Sequence, residues 1–305
     1  MSVVPNSAQS DGPIPAPHQP KKITTQHIRE KKQRGEAITC LTAYDYWSAK
    51  LVDQAGVDMV LVGDSLAQVV LGHENTMSVT MDEMLHHTRA ARRGTQRALL
   101  IGDMPYGSYH ASEQEAVANA LRFLKEASAE AVKLEGGEKR APLAHRMIDA
   151  EIPVMGHIGL TPQSLHAMGG YKVQGKTLPA VEQLMRDATA LDQAGVFAIV
   201  LEGIPMEVAA MITREVSCPT IGIGAGKDCD GQVLVFHDIL GLTFHPPAKF
   251  VRQYADAGTL IRDAATQFIQ DVASGAYPAE AESYHLPRET RAALIKTDAP
   301  KRAIR

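Results

Sequence analysis

The stretch DMVLVGDSLAQVV, residues 58–70, runs apolar through Met59-Val60-Leu61-Val62 and then breaks at Gly63 into a carboxylate and a hydroxyl, Asp64-Ser65. One such exit from a buried strand is ordinary turn chemistry. This chain repeats it. ALLIGDMP (98–105) reaches Asp103, AVKLEGG (131–137) reaches Glu135 and FAIVLEGIP (197–205) reaches Glu202. Each is a short run rich in Leu, Ile or Val in which the acid follows or precedes a glycine. Four acids at four strand ends call for one explanation.

Outward from these runs the chain alternates two patterns. Apolar segments near 37–43, 58–63, 98–102, 130–134, 152–156, 196–201, 219–224 and 232–236 read as strands. Helical periodicity fills the gaps, with capping-box starts at Thr80–Glu83 and Ser112–Glu115 and helix stops at Gly56, Gly94 and Gly195. Strands alternating with helices in this number predict a (β/α)8 TIM barrel of the α/β class, in one domain. A doubly wound open sheet is the alternative, but no GxGxxG joins the first strand to its helix. In a barrel the carboxyl ends of the strands share one mouth, so Asp64, Asp103, Glu135 and Glu202 are expected to meet there. Strand alternation aims Lys133 and Glu135 inward and turns Val132 and Leu134 toward the helices.

Crowded carboxylates repel unless a cation offsets them. Hard oxygen donors without a convergent His/Cys set favour Mg²⁺ or a similar ion. The net charge of −4 and the absence of basic runs with interleaved aromatics speak against nucleic acid. Three scattered cysteines, Cys40, Cys218 and Cys229, read as free thiols. No apolar run approaches the roughly 20 residues of a membrane span. Residues 1–20, rich in Pro and Ser, read as a disordered tail without signal-peptide features. Residues 21–275 then form the barrel and 276–305 a C-terminal extension, in a cytoplasmic protein. His86 and His87 read as helix-packing or solvated residues, and GGYKVQGK (169–176) as a loop beside the mouth, either a lid or a simple surface loop.

The motifs LTAYDY (41–46), LVGDSL (61–66), VKLEGG (132–137), GHIGLTPQS (156–164), GGYKVQGK (169–176) and IGIGAG (221–226) together resemble the ketopantoate hydroxymethyltransferase family from about residue 21 to 270. The resemblance implies transfer of a one-carbon unit from 5,10-methylenetetrahydrofolate to 3-methyl-2-oxobutanoate through a Mg-stabilised enolate. The products would be 2-dehydropantoate and tetrahydrofolate, in pantothenate synthesis. It implies one Mg²⁺ per subunit at Asp64, Asp103 and Glu135. It further implies substrate contacts from Asp64, Ser65, Asp103, Lys133 and His157, Glu202 as catalytic acid/base, and a homodecamer. The folate-binding residues are not identified by it. Two rival readings are a phosphoenolpyruvate mutase or isocitrate lyase relative and a non-catalytic metal-binding assembly protein. The first needs a KKCGH-type loop, whereas the cysteines here stand in ITCLT, VSCPT and KDCDG. Intact Lys133 and Glu202 argue against the second.

Overall fold

The computed structural model describes residues 21–244 and 246–297. The expected disordered tail, residues 1–20, lies outside them, as do the last eight residues of the expected C-terminal extension. Eight parallel strands close into a barrel in chain order: β1 (Ile38–Thr42), β2 (Met59–Val62), β3 (Leu99–Asp103), β4 (Ala131–Glu135), β5 (Val154–Gly159), β6 (Ala198–Glu202), β7 (Thr220–Ile223) and β8 (Gly231–Leu234), with β8 returning to β1. The fold is thus the (β/α)8 barrel that the alternation predicts. Strand β5 ends three residues later than expected, which places His157 within the ladder, its register paired with Glu135 and Val200.

Two apolar layers follow from the period-2 geometry of the strands. Met59, Leu61, Leu99, Ile101, Ala131, Met155, Ala198, Val200 and Ile221 fill the interior. The alternate positions, among them Val60, Leu100, Val132, Leu134, Ile199 and Leu201, pack beneath the surrounding helices. Each fully buried Leu, Ile or Met is worth roughly 1.5–3 kcal/mol over an exposed one. Gly102 on β3 faces outward by the same alternation, and it is glycine because the Phe123 ring lies directly on it, where a Cβ would collide.

The barrel has one closed and one open end. A helix not anticipated from the alternation, Thr25–Gln33, plugs the amino-terminal end with fully buried Ile28. Lys31 pairs there with Asp58 at 2.7 Å, and Lys32 donates to the carbonyls of Thr213, Val216 and Cys218 at 2.9–3.0 Å. The carboxyl ends of the strands are left to form the cavity.

The start and stop signals fare unevenly. Thr80 and Glu83 form the full capping box, whereas Ser112 accepts from the Glu115 N–H without the reciprocal bond. Gly56 and Gly195 end their helices in the left-handed conformation, at φ 91° and 93°. Gly94 does not. It is the last residue of the helix Met81–Gly94, and it is glycine because the backbone of the helix Tyr46–Ala55 leaves no room for a Cβ. His87 sits on the same helix with Nδ1 2.6 Å from the Tyr44 carbonyl, a packing role.

Candidate active site

A cavity of about 980 Å³ opens at the carboxyl ends of the strands, and every residue anticipated for the site lines it: Asp64, Ser65, Asp103, Lys133, Glu135, His157 and Glu202. Five separate strands deliver them. Asp103, Lys133, Glu135, His157 and Glu202 are strand residues of inward parity, while Asp64 and Ser65 follow β2 in a turn that opens with Gly63. A Cβ at Gly63 would sit 3.0 Å from Ser65 Oγ, a tight contact, while Asp103 Oδ2 at 3.8 Å would be in ordinary contact, so glycine here spares the Ser65 hydroxyl.

The acids lie in an ordered electrostatic row. Lys133 Nζ donates to both oxygens of Asp103 at 2.7 Å and stands 3.8 Å from Glu135 Oε1. Asp103 Oδ2 accepts from the Asp64 backbone N–H at 3.1 Å. His157 bridges the remaining two acids, with Nδ1 3.3 Å from Glu135 Oε1 and Nε2 3.2 Å from Glu202 Oε2. Both contacts are close enough for charge attraction, but they are misaligned for hydrogen bonds, leaving both ring nitrogens and Glu135 Oε1 buried without one. Ser65 Oγ lies 2.9 Å from Tyr44 Oη.

Burial and charge set the protonation states. Burial, then the Asp103 charge, hold the Asp64 carboxyl well above the ordinary carboxylate range. Burial also raises Asp103, outweighing the Lys133 ammonium beside it. Burial would raise Glu135 as well, but His157, Lys133 and the Gln163 N–H together outweigh it and leave that carboxyl low. For His157, burial and Lys133 favour the neutral ring, and the pull of Glu135 and Glu202 overcomes them, to about 9. Burial likewise opposes the Lys133 charge, and Asp103, Glu135 and Asp64 more than restore it.

Among the described residues no three His, Cys, Asp or Glu side chains stand in metal-ligating geometry. The three expected ligands do gather, but Asp103 is turned onto Lys133, and Glu135 lies beside His157. Their chemistry still fits a small divalent cation. They offer hard carboxylate oxygens, burial and the Asp103 charge disfavour the ionised form of Asp64 in a way that a cation would relieve, and Glu135 Oε1 is buried without a hydrogen bond.

Three side chains belong to the site without having been assigned a role from the sequence. Tyr44 holds Ser65, and buried Tyr109 and Gln163 tie the acids together. Tyr44 and Gln163 fall inside the quoted motifs LTAYDY and GHIGLTPQS, which were the available signal. At the cavity rim the 169–176 loop contributes Tyr171, Lys172 and Val173, and β7 with its exit contributes Ile223, Gly224 and Gly226. His73 and His110 do not line the cavity.

Residues 22–280 match the family model for ketopantoate hydroxymethyltransferase. The chain belongs to that family. Its relatives include the 3-methyl-2-oxobutanoate hydroxymethyltransferase of Koribacter versatilis, 67% identical over 284 residues, covering 93% of this chain and 96% of that protein. The enzyme of the same name from Syntrophomonas wolfei is 53% identical over 268 residues, 88% of this chain and 97% of that one. Family membership makes the chain a transferase. A solved phosphonopyruvate hydrolase, crystallised with oxalate and Mg²⁺, superposes with a TM-score of 0.55 over 90% of this chain and 99% of its own, at 14% identity. That likeness concerns the barrel alone.

Proposed function

We propose that this chain transfers a hydroxymethyl group from 5,10-methylenetetrahydrofolate to 3-methyl-2-oxobutanoate, yielding 2-dehydropantoate and tetrahydrofolate in pantothenate synthesis. One observation carries the reading: Asp64, Ser65, Asp103, Lys133, Glu135, His157 and Glu202, drawn from five strands of a ketopantoate hydroxymethyltransferase family member, line a single cavity.

Asp64 and Asp103 would hold one Mg²⁺, with Glu135 acting through a bound water. When bound, the cation supplies positive charge beside the 2-oxo carbonyl and so acidifies the neighbouring C3–H. Lys133 offers an ammonium to the substrate carboxylate, and Ser65 Oγ, held by Tyr44, offers one hydrogen bond to it. Glu202 accepts the C3 proton. His157 Nε2, 3.2 Å from Glu202 Oε2, orients that carboxylate and keeps it beside a partner that is cationic at neutral pH. The C3 carbon then bonds to the one-carbon unit, water supplies the hydroxyl, and tetrahydrofolate leaves.

We assign the barrel domain to residues 21–275 and a C-terminal extension to residues 276–305. A homo-oligomer, a decamer as the family resemblance implies, is supported by the helix Ala257–Ser274, none of whose residues is buried although it carries Leu260, Ile261, Phe268 and Ile269. No helix among the described residues is long and apolar enough to cross a membrane, and a cytoplasmic location is proposed with it. The test is direct. Purified protein, Mg²⁺, 3-methyl-2-oxobutanoate and methylenetetrahydrofolate should give 2-dehydropantoate; absence of that product under conditions where the oxo acid binds would refute the assignment.

A further inference from the structure

Gln163 lies in the single turn Pro162–Ser164 that follows β5, and its side chain is 3% exposed. Its backbone N–H donates to Glu135 Oε2 at 3.0 Å. Its Nε2 donates both to Asp64 Oδ2 at 2.9 Å and to the Met104 carbonyl at 3.0 Å. Its Oε1 accepts from Tyr109 Oη at 2.6 Å, and that hydroxyl accepts from the Glu135 N–H at 3.2 Å. The amide thus uses both of its donors and an acceptor. Its orientation is fixed, because the reversed amide would set Oε1 against a carboxylate and a carbonyl. A one-way chain of bonds therefore runs from the end of β4 through Tyr109 and Gln163 to the turn after β2.

We propose that Gln163 is the positioning residue of the acid cluster. It occupies one oxygen of Asp64 with its side chain and one oxygen of Glu135 with its backbone, and so decides which oxygen of each is turned toward the cation. Free carboxylates rotate, and like charges in a buried site rotate apart. Gln163 counters both tendencies at two acids that arrive from different strands, and Tyr109 keeps its amide from turning. The proposal rests on the reading of these acids as a divalent-cation site. Residues that hold ligands in this indirect way typically alter metal affinity 10–100-fold when removed.

The test compares Gln163→Met, which keeps the length of the side chain and removes its hydrogen bonds, with Tyr109→Phe, which removes only the hydroxyl. Mn²⁺ binding to each folded protein is followed by electron paramagnetic resonance, and thermal melting is measured without metal. Mn²⁺ affinity should fall about 10–100-fold in Gln163→Met and by a smaller factor in Tyr109→Phe. A lowered melting temperature with Mn²⁺ affinity within twofold of wild type would mean that Gln163 only supports the loop, and would overturn the proposal. If Gln163→Met does not fold, Tyr109→Phe decides: weaker Mn²⁺ binding upholds the chain of bonds and unchanged binding overturns it. A wild type that binds no Mn²⁺ overturns the cation reading itself, a failure distinct from that of Gln163.

Discussion

Replacing Lys133 by Met removes the ammonium that sits among three buried acids and preserves the apolar stem. Lys133 is 4% exposed, with Nζ 2.7 Å from both Asp103 oxygens. Taking one partner from a buried ion pair costs about 3–5 kcal/mol, because the other charge is left uncompensated. For a domain of this size about 2–4 °C of melting temperature corresponds to each kcal/mol. The metal-free variant should therefore melt about 6–20 °C below wild type at neutral pH. The deficit also has a sign with pH. Burial already holds Asp64 and Asp103 above their unfolded values, and loss of the ammonium pushes both higher. A carboxyl whose folded value is raised stabilises the fold below its unfolded value of about 4, and that contribution is lost as pH rises through the folded value. The melting deficit should accordingly widen from about pH 4 toward neutrality, and added Mg²⁺ should narrow it. Calorimetric melting with chelator, across that range and again with Mg²⁺, is the assay. A pH-independent deficit, or one below about 2 °C, would refute the electrostatic reasoning.

Other positions give independent checks. Asp53 accepts the backbone N–H groups of Gln96, Arg97 and buried Ala98 at 2.7–3.1 Å, so Asp53→Ala should cost about 2–4 kcal/mol, read as a lowered denaturation midpoint. No measurable shift would mean that these amides find other partners. Gly63→Ala should press its methyl on Ser65 Oγ and raise the KM for the oxo acid, with little change in melting; an unchanged KM would free Ser65 of its substrate role. Charged replacements at Leu260 and Phe268 should lower the sedimenting mass if the exposed face of the helix Ala257–Ser274 is an interface, and an unaltered mass would exclude that face.

The parity of β4 was legible because a strand has a strict period of two. Val132 and Leu134 could face only the helices once Lys133 and Glu135 faced the cavity, and they do. Convergence of acids from β2, β3, β4 and β6 was legible for the same reason together with barrel topology. The partners of those acids were not. Whether Asp103 turns to Lys133 or to a neighbouring acid, and that His157 lies between Glu135 and Glu202, depends on side-chain packing across strands far apart in sequence. Gln163 and Tyr109 were missed because an uncharged amide and a phenol in loops carry no periodic signal. Gly94 misled for a related reason: a close helix crossing and a helix stop both demand glycine, and only the crossing partner distinguishes them.

The central claim is that Glu202, oriented by His157 at the carboxyl end of β6, removes a proton from C3 of the oxo acid. Hydrogen–deuterium exchange at C3 of 3-methyl-2-oxobutanoate, followed by proton NMR in deuterated water with Mg²⁺ and without folate, tests it most directly. Wild type should exchange that hydrogen, and Glu202→Gln, with oxo-acid binding retained, should do so about 10²- to 10⁴-fold more slowly. Equal rates in the two proteins would contradict the account and move proton removal to another group.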